Sequence, residues 1–216
     1  MKINLIILFF FALFSLYTSQ SNASYANSNP DFCVADLNTP YTPSGYQCKS
    51  SKDVTVDDFV FSNFVTGKAI DHFNITLTVA SVNNFPGLNG LDISAARVEV
   101  GANGTIAMHT HPDASELLIM VKGQLRAGFV TPNHAYVKDI KPGDVMAFPK
   151  GQVHFVVNYG VEEAVAFATY SSSNPSFQFL DHLLFANDLN SSMIAHSTLL
   201  DYSEIERLKA VFGGSG

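Results

Sequence analysis

Residues 108–123 read MHTHPDASELLIMVKG: two histidines one residue apart, a carboxylate five residues further on and a closing glycine, set into an otherwise apolar run. On an extended segment successive side chains face opposite ways, so His109 and His111 share one face and Thr110 takes the other. Glu116 would fall out of phase with them on an unbroken strand. The intervening PDAS is rich in turn formers, and from such a turn Glu116 can open the next strand facing the histidines of its neighbour. A second segment, GDVMAFPKGQVHFVVN, supplies His154 from a strand reached through a tight turn at 149–151. A lone histidine on an apolar strand is most often a core or surface residue, and an HxH pair is weak evidence by itself. Three imidazoles and a carboxylate in one apolar lining are different, because buried polar groups need partners and a divalent cation satisfies all four. Imidazole and carboxylate suit Mn, Fe, Zn, Cu or Ni, so the donors alone do not choose among them.

The elements that must carry these residues are short. From 95 to 170 the chain is a series of β-rich runs (ARVEV, ELLIMV, QLRAGFV, AYVKDI, DVMAFP, HFVVN and AVAFATY) separated by turn-forming stretches such as GANG, HPDAS, KPG and PKGQ. None sustains a helical period. The spacing predicts an all-β sandwich or closed barrel. Near the C-terminus the pattern changes: YSEIERLKAVFGG predicts a helix with Ser203 and Glu206 as a capping box, an apolar face of Ile205, Leu208, Val211 and Phe212, and Gly213 as its stop. That face needs cover from its own barrel or from a neighbouring subunit.

The 216 residues, 47% hydrophobic and 14% charged, suffice for one substantial core. Lys2 followed by INLIILFFFALFSLY is the basic start and apolar centre of a secretory signal, and is short for a membrane span; cleavage is expected after Ala23. A net charge of −7 with dispersed charges argues against nucleic acid as a partner. Export makes a disulfide the expected state of Cys33 and Cys48, against two free buried thiols as the alternative. Closing that loop would remove about 3 kcal/mol of unfolded-chain entropy from an arm with little core of its own. Sequons lie at Asn74, Asn103 and Asn190, and Asn74, ahead of a strand-like stretch, is the expected glycan site.

Taken together these residues resemble the cupins, and more closely the plant germins and germin-like proteins, nearest to their auxin-binding and nectarin-like branch. The first cupin motif is met by Gly104, His109, His111, Glu116 and Gly123, and the second by Gly143, Pro149, Gly151, His154 and Asn158. DFCVADL and GYQCK are similar to the germin N-terminal arm with its disulfide. Two departures stand out. The motif's opening glycine usually sits where this chain has Asn103, with Gly104 next door to preserve the turn, and two prolines often found before the first histidine are replaced by Ala107 and Met108.

The resemblance implies a cupin jelly-roll barrel with an N-terminal disulfide-bonded arm and C-terminal helices, divided as signal peptide 1–23, arm 24–60, barrel 61–175 and helical extension 176–216. It implies Mn²⁺ held by His109, His111, Glu116 and His154, and an apoplastic, extracellular glycoprotein assembled as a homohexamer, a trimer of dimers clasped by C-terminal helices, with no membrane partner. The founding germins are oxalate oxidases with two asparagines thought to orient oxalate; their places are taken here by Ala96 and Ile106. Oxalate oxidation is therefore not expected, and superoxide dismutation, credited to many germin-like proteins, is the leading enzymatic expectation. The alternative is a non-catalytic module binding an auxin-like carboxylate, with Met108, Met146, Phe148 and Phe155 as candidate pocket walls, each weighed against plain core packing. His72, His134, His182 and His196 match no motif and read as surface or structural, and Asn158 reads as a loop anchor.

Overall fold

The computed structural model describes residues 31–70 and 73–216. The signal segment expected over 1–23 and His72 lie outside them. Two antiparallel sheets face each other. One runs β1 (Lys68–Ile70), β2 (Ile75–Ala80), β3 (Ser94–Val100), β10 (Ala164–Tyr170), β5 (Glu116–Lys122) and β8 (Val145–Phe148). The other runs β11 (Gln178–Phe179), β4 (Thr105–Thr110), β9 (His154–Val157), β6 (Leu125–Thr131) and β7 (His134–Ile140). This is the jelly-roll form of a barrel, two curled sheets sharing one core.

Alternation decides which face is buried. On β5 Glu116, Leu118 and Met120 point inward while Leu117 and Val121 remain exposed. On β10, between β3 and β5, Ala164, Ala166, Ala168 and Tyr170 point inward, and the core they enter includes Val98, Leu118, Leu125, Phe148 and Val156. Burying a Leu or Phe side chain of this kind is worth about 1.5–3 kcal/mol.

The arm is stapled by the Cys33–Cys48 disulfide and docked by a small cluster of Ala35, Val82 and Leu88, with the Ala35 amide donating to the Pro86 carbonyl. Lys49 pairs with Asp58 at 2.7 Å.

Three helices follow the barrel: α1 (Leu180–Phe185), α2 (Ser191–Thr198) and α3 (Tyr202–Phe212). The expected capping box is absent. α3 begins at Tyr202 with Asp201 as its N-cap, so Ser203 lies inside the first turn, where its hydroxyl is out of position to cap. Gly213 does end the helix, in the left-handed conformation at φ 81°. Ile205, Leu208 and Phe212 pack on Phe185 and Ile194, so α1 and α2 of the same chain cover that face and Val211 is left exposed. The buried Lys209 ammonium donates to the carbonyls of Leu189, Ser215 and Gly216.

At one end of the barrel the β3–β4 turn carries Asn103 at φ 57°. Asn103 itself adopts the left-handed conformation that the motif's glycine would supply, and asparagine tolerates it better than most residues. Gly104 is required for space instead: a Cβ there would lie 2.4 Å from the Asn74 carbonyl oxygen. Asn158, fully buried, closes this end by donating from Nδ2 to the Val100 and Glu162 carbonyls at 2.8 Å each and accepting the Gly160 amide on Oδ1.

Candidate metal centre

At the other end, β4, β5 and β9 deliver the chemistry. Pairing between β4 and β9 is out of register between Ile106 and His109: Ile106 faces Val156 and His109 faces His154, leaving Ala107 and Met108 as a bulge. A bulge re-aims the side chain that follows it. The bulge's own Ala107 carbonyl then accepts the His109 Nδ1–H at 2.9 Å. His111 lies just past the end of β4, where its carbonyl accepts the Gly151 amide at 3.0 Å. Glu116 and His154 are the first residues of β5 and β9.

The four side chains converge as the spacing predicted. One ligand atom from each lies within 4.8 Å of all the others, and all four residues are buried. A cation bonded at about 2.1 Å places adjacent donors about 3 Å apart and opposite donors about 4.2 Å apart. Nε2 of His111 and Nε2 of His154 each lie 3.1 Å from Glu116 Oε2.

The proton arrangement favours a cation. His109, His111 and His154 direct Nδ1 at the carbonyls of Ala107, Ser176 and Gln152, at 2.9, 2.7 and 2.9 Å. A neutral ring that donates from Nδ1 offers an Nε2 lone pair to the cluster, the form that ligates a metal. His111 Nε2 is buried without a hydrogen-bond partner, because Glu116 Oε2, although near, is out of line. Two imidazole nitrogens thus crowd one carboxylate oxygen in a buried site, His154 Nε2 hydrogen-bonded to it at 3.1 Å and His111 Nε2 left unmatched, a shortfall that a bound cation relieves.

Burial, then the neighbouring His154, holds the His109 imidazolium pKa down at about 4. Burial works to raise Glu116, but the adjoining His111 and His154 rings outweigh it and hold the carboxyl at about 2. Tyr170 is pushed up by burial and then by the Glu116 charge. Near neutrality His109 is therefore neutral and Glu116 ionised, the states that ligate metal.

Aromatic rings wall the cluster. Phe148 stacks on His154 with centroids 4.4 Å apart, and Phe177 meets His111 edge-on at 4.4 Å. The adjoining core contains Ala96, Ile106, Leu118 and Val156, none with a side-chain hydrogen-bonding group.

Comparison with known proteins agrees with this geometry: the Cupin family model matches residues 64–206. The chain is 46% identical over 208 residues to a germin-like protein of Morus alba, covering 95% of this chain and 98% of the relative. It is a germin-like cupin. Auxin-binding protein ABP19b of Prunus persica is likewise 46% identical, over 95% of this chain and 97% of its own. A solved oxalate oxidase superposes with a TM-score of 0.79 at 30% identity, covering 86% of this chain and 98% of the other.

The remaining expectations for this germin-like chain divide. His134 packs on Tyr136, His182 hydrogen-bonds Asp181 and His196 the Ser192 carbonyl, all away from the cluster. Asn158 anchors a loop. Among the candidate walls, Phe148 lines the centre and Met146 packs on the core, while Met108 is exposed in the bulge. Phe155 is no wall, because it alternates with the inward His154 and Val156 on β9. Of the sequons, Asn74 is exposed with its Nδ2 donating to the Ala102 carbonyl, Asn103 is exposed, and Asn190 caps α2 by accepting the Ser192 amide. Sequence reasoning missed the bulge and the three carbonyls that orient the imidazoles. Backbone acceptors carry no residue signature.

Proposed function

We propose that this germin-like cupin is a secreted, manganese-binding protein of the plant apoplast that dismutates superoxide and lacks oxalate oxidase activity. The observation that carries the reading is the buried cluster in which one ligand atom each from His109, His111, Glu116 and His154 lies within 4.8 Å of the others. When bound, a redox-active cation with an open coordination position supplies one-electron chemistry. The chain's part is to hold that cation on three neutral imidazoles and one carboxylate, with Phe148 and Phe177 excluding water from their far sides.

Ala96 and Ile106 support the exclusion of oxalate. Neither can donate to a carboxylate, and each missing charge-assisted hydrogen bond is worth about 1.5–3 kcal/mol. The hexameric assembly is supported by exposed apolar residues in two places, Leu117, Val121 and Val145 on the outer face of β5 and β8, and Leu183, Leu189 and Met193 on the helical lobe. Export, and the glycan at Asn74, rest on the N-terminal signal and the sequon.

Metal analysis of the secreted protein, with superoxide and oxalate assays on the same sample, tests the reading. One manganese per chain with superoxide removal faster than free Mn²⁺, and no oxalate-dependent peroxide, is the expected result. Metal-free protein that ignores added manganese ends it. The auxin-binding relative favours a second reading, a carboxylate-binding module without turnover. Calorimetry with indole-3-acetic acid, with and without chelator, separates the two: metal-dependent micromolar binding by a protein inactive on superoxide selects the module.

A further inference from the structure

The three imidazoles are not oriented alike. His109 and His154 donate to carbonyls two residues earlier in their own segments, Ala107 and Gln152. His111 donates instead to Ser176, on the strap at 171–177 that leads from β10 to β11. Its orientation therefore depends on where that strap lies.

The strap is clipped by one carboxylate. Asp113 accepts the Ser176 amide on Oδ1 at 2.9 Å and the Ser172 hydroxyl on Oδ2 at 2.9 Å. Ser172 is itself held, its carbonyl accepting the Ser94 hydroxyl at 2.7 Å. Asp113 is two residues beyond His111 in the same turn, where the His111 carbonyl accepts the Ala114 and Gly151 amides. A closed ring results: His111 imidazole, Ser176 carbonyl, Ser176 amide, Asp113 carboxylate, and the chain back to His111. The same clip sets Phe177, next to Ser176, edge-on against the His111 ring.

We propose that Asp113 is a positioning residue of the metal centre, fixing the tautomer and direction of His111 through the backbone of Ser176. The proposal rests on reading the four-residue cluster as a metal site, and supplies that site with an outer support that no motif position names. Outer partners of a ligating histidine change metal affinity by about 10–100-fold when removed; Asp113 acts one bond further out, so about tenfold is expected.

Two measurements on the full secreted chain test this. Mn²⁺ titration by calorimetry should show Asp113→Ala binding about tenfold more weakly than wild type, Asp113→Asn restored to within about threefold because its amide oxygen can still accept the Ser176 N–H, and Ser172→Ala between them. In metal-free protein, ¹⁵N imidazole spectra should show a protected Nδ1–H on all three histidines of the wild type and its loss from His111 alone in Asp113→Ala. Equal affinity with an unchanged His111 signal overturns the proposal, as does an equal change in all three histidines. If the wild type binds no Mn²⁺ the metal reading fails, yet the His111 signal still decides the role of Asp113. Should Asp113→Ala fail to fold, Ser172→Ala carries both measurements.

Discussion

The two ends of the barrel each bury polar side chains, and they treat them in opposite ways. At the β3–β4 end Asn158 is completely buried and its amide is matched, with two carbonyls and one backbone amide as partners. At the other end His109, His111, Glu116 and His154 are buried too, yet two rings lean on a single carboxylate oxygen: His154 Nε2 hydrogen-bonds Glu116 Oε2 at 3.1 Å, and His111 Nε2 is left with no hydrogen-bond partner. Matched burial holds a loop in place, whereas mismatched burial is a cost the fold carries for a ligand.

Replacing the matched residue should do the most damage. Asn158→Ala strands two carbonyls and an amide and should lower unfolding stability by about 4 kcal/mol, since each stranded buried group costs about 1–3 kcal/mol. A denaturant midpoint close to wild type would erase the distinction. The mismatched end should behave in reverse. Mn²⁺ at one hundred times its Kd should stabilise the wild type by about 2.7 kcal/mol, and His154→Ala should abolish that metal-dependent gain, read as the difference between melts with and without Mn²⁺.

Acid should read the same end in the metal-free protein. His109 titrates at about 4 when folded against 6.5 when unfolded, so the unfolded chain binds more protons between those values and stability falls as pH drops through that window. Glu116, at about 2 against 4.5, extends the loss further down. Thermal melts in chelator from pH 7 to pH 3 should fall steadily, and a flat profile would place these groups in water. The smallest effect belongs to Asn103→Ala, which forces an ordinary side chain into the left-handed conformation at about 1 kcal/mol, measurable by chemical denaturation.

The ligands were legible because everything that places them is local. Period-two alternation pairs His109 with His111, the PDAS turn resets the phase for Glu116, and the turn at 149–151 delivers His154. Most strands were legible for the same reason, although β1 and β11, only a few residues long, give no pattern to read. What escaped depends on partners distant in sequence or on backbone alone. The strap that orients His111 comes from 65 residues further along the chain. The α3 cap went to Asp201 because Asp201 and Ser203 both precede an apolar stripe, and only packing on Phe185 and Ile194 decides where the helix begins. Asn103 was read as a lost glycine, yet its backbone does what the glycine would do.

The β4 bulge makes chain length as consequential as residue identity. Ile106 and His109 stand three positions apart, an odd interval that would send them to opposite faces of a regular strand, and the extra residue absorbs that phase so that both enter the barrel opposite Val156 and His154. A descendant one residue shorter here would still aim its histidine inward, and what it would forfeit is the bulged peptide whose carbonyl steadies that ring.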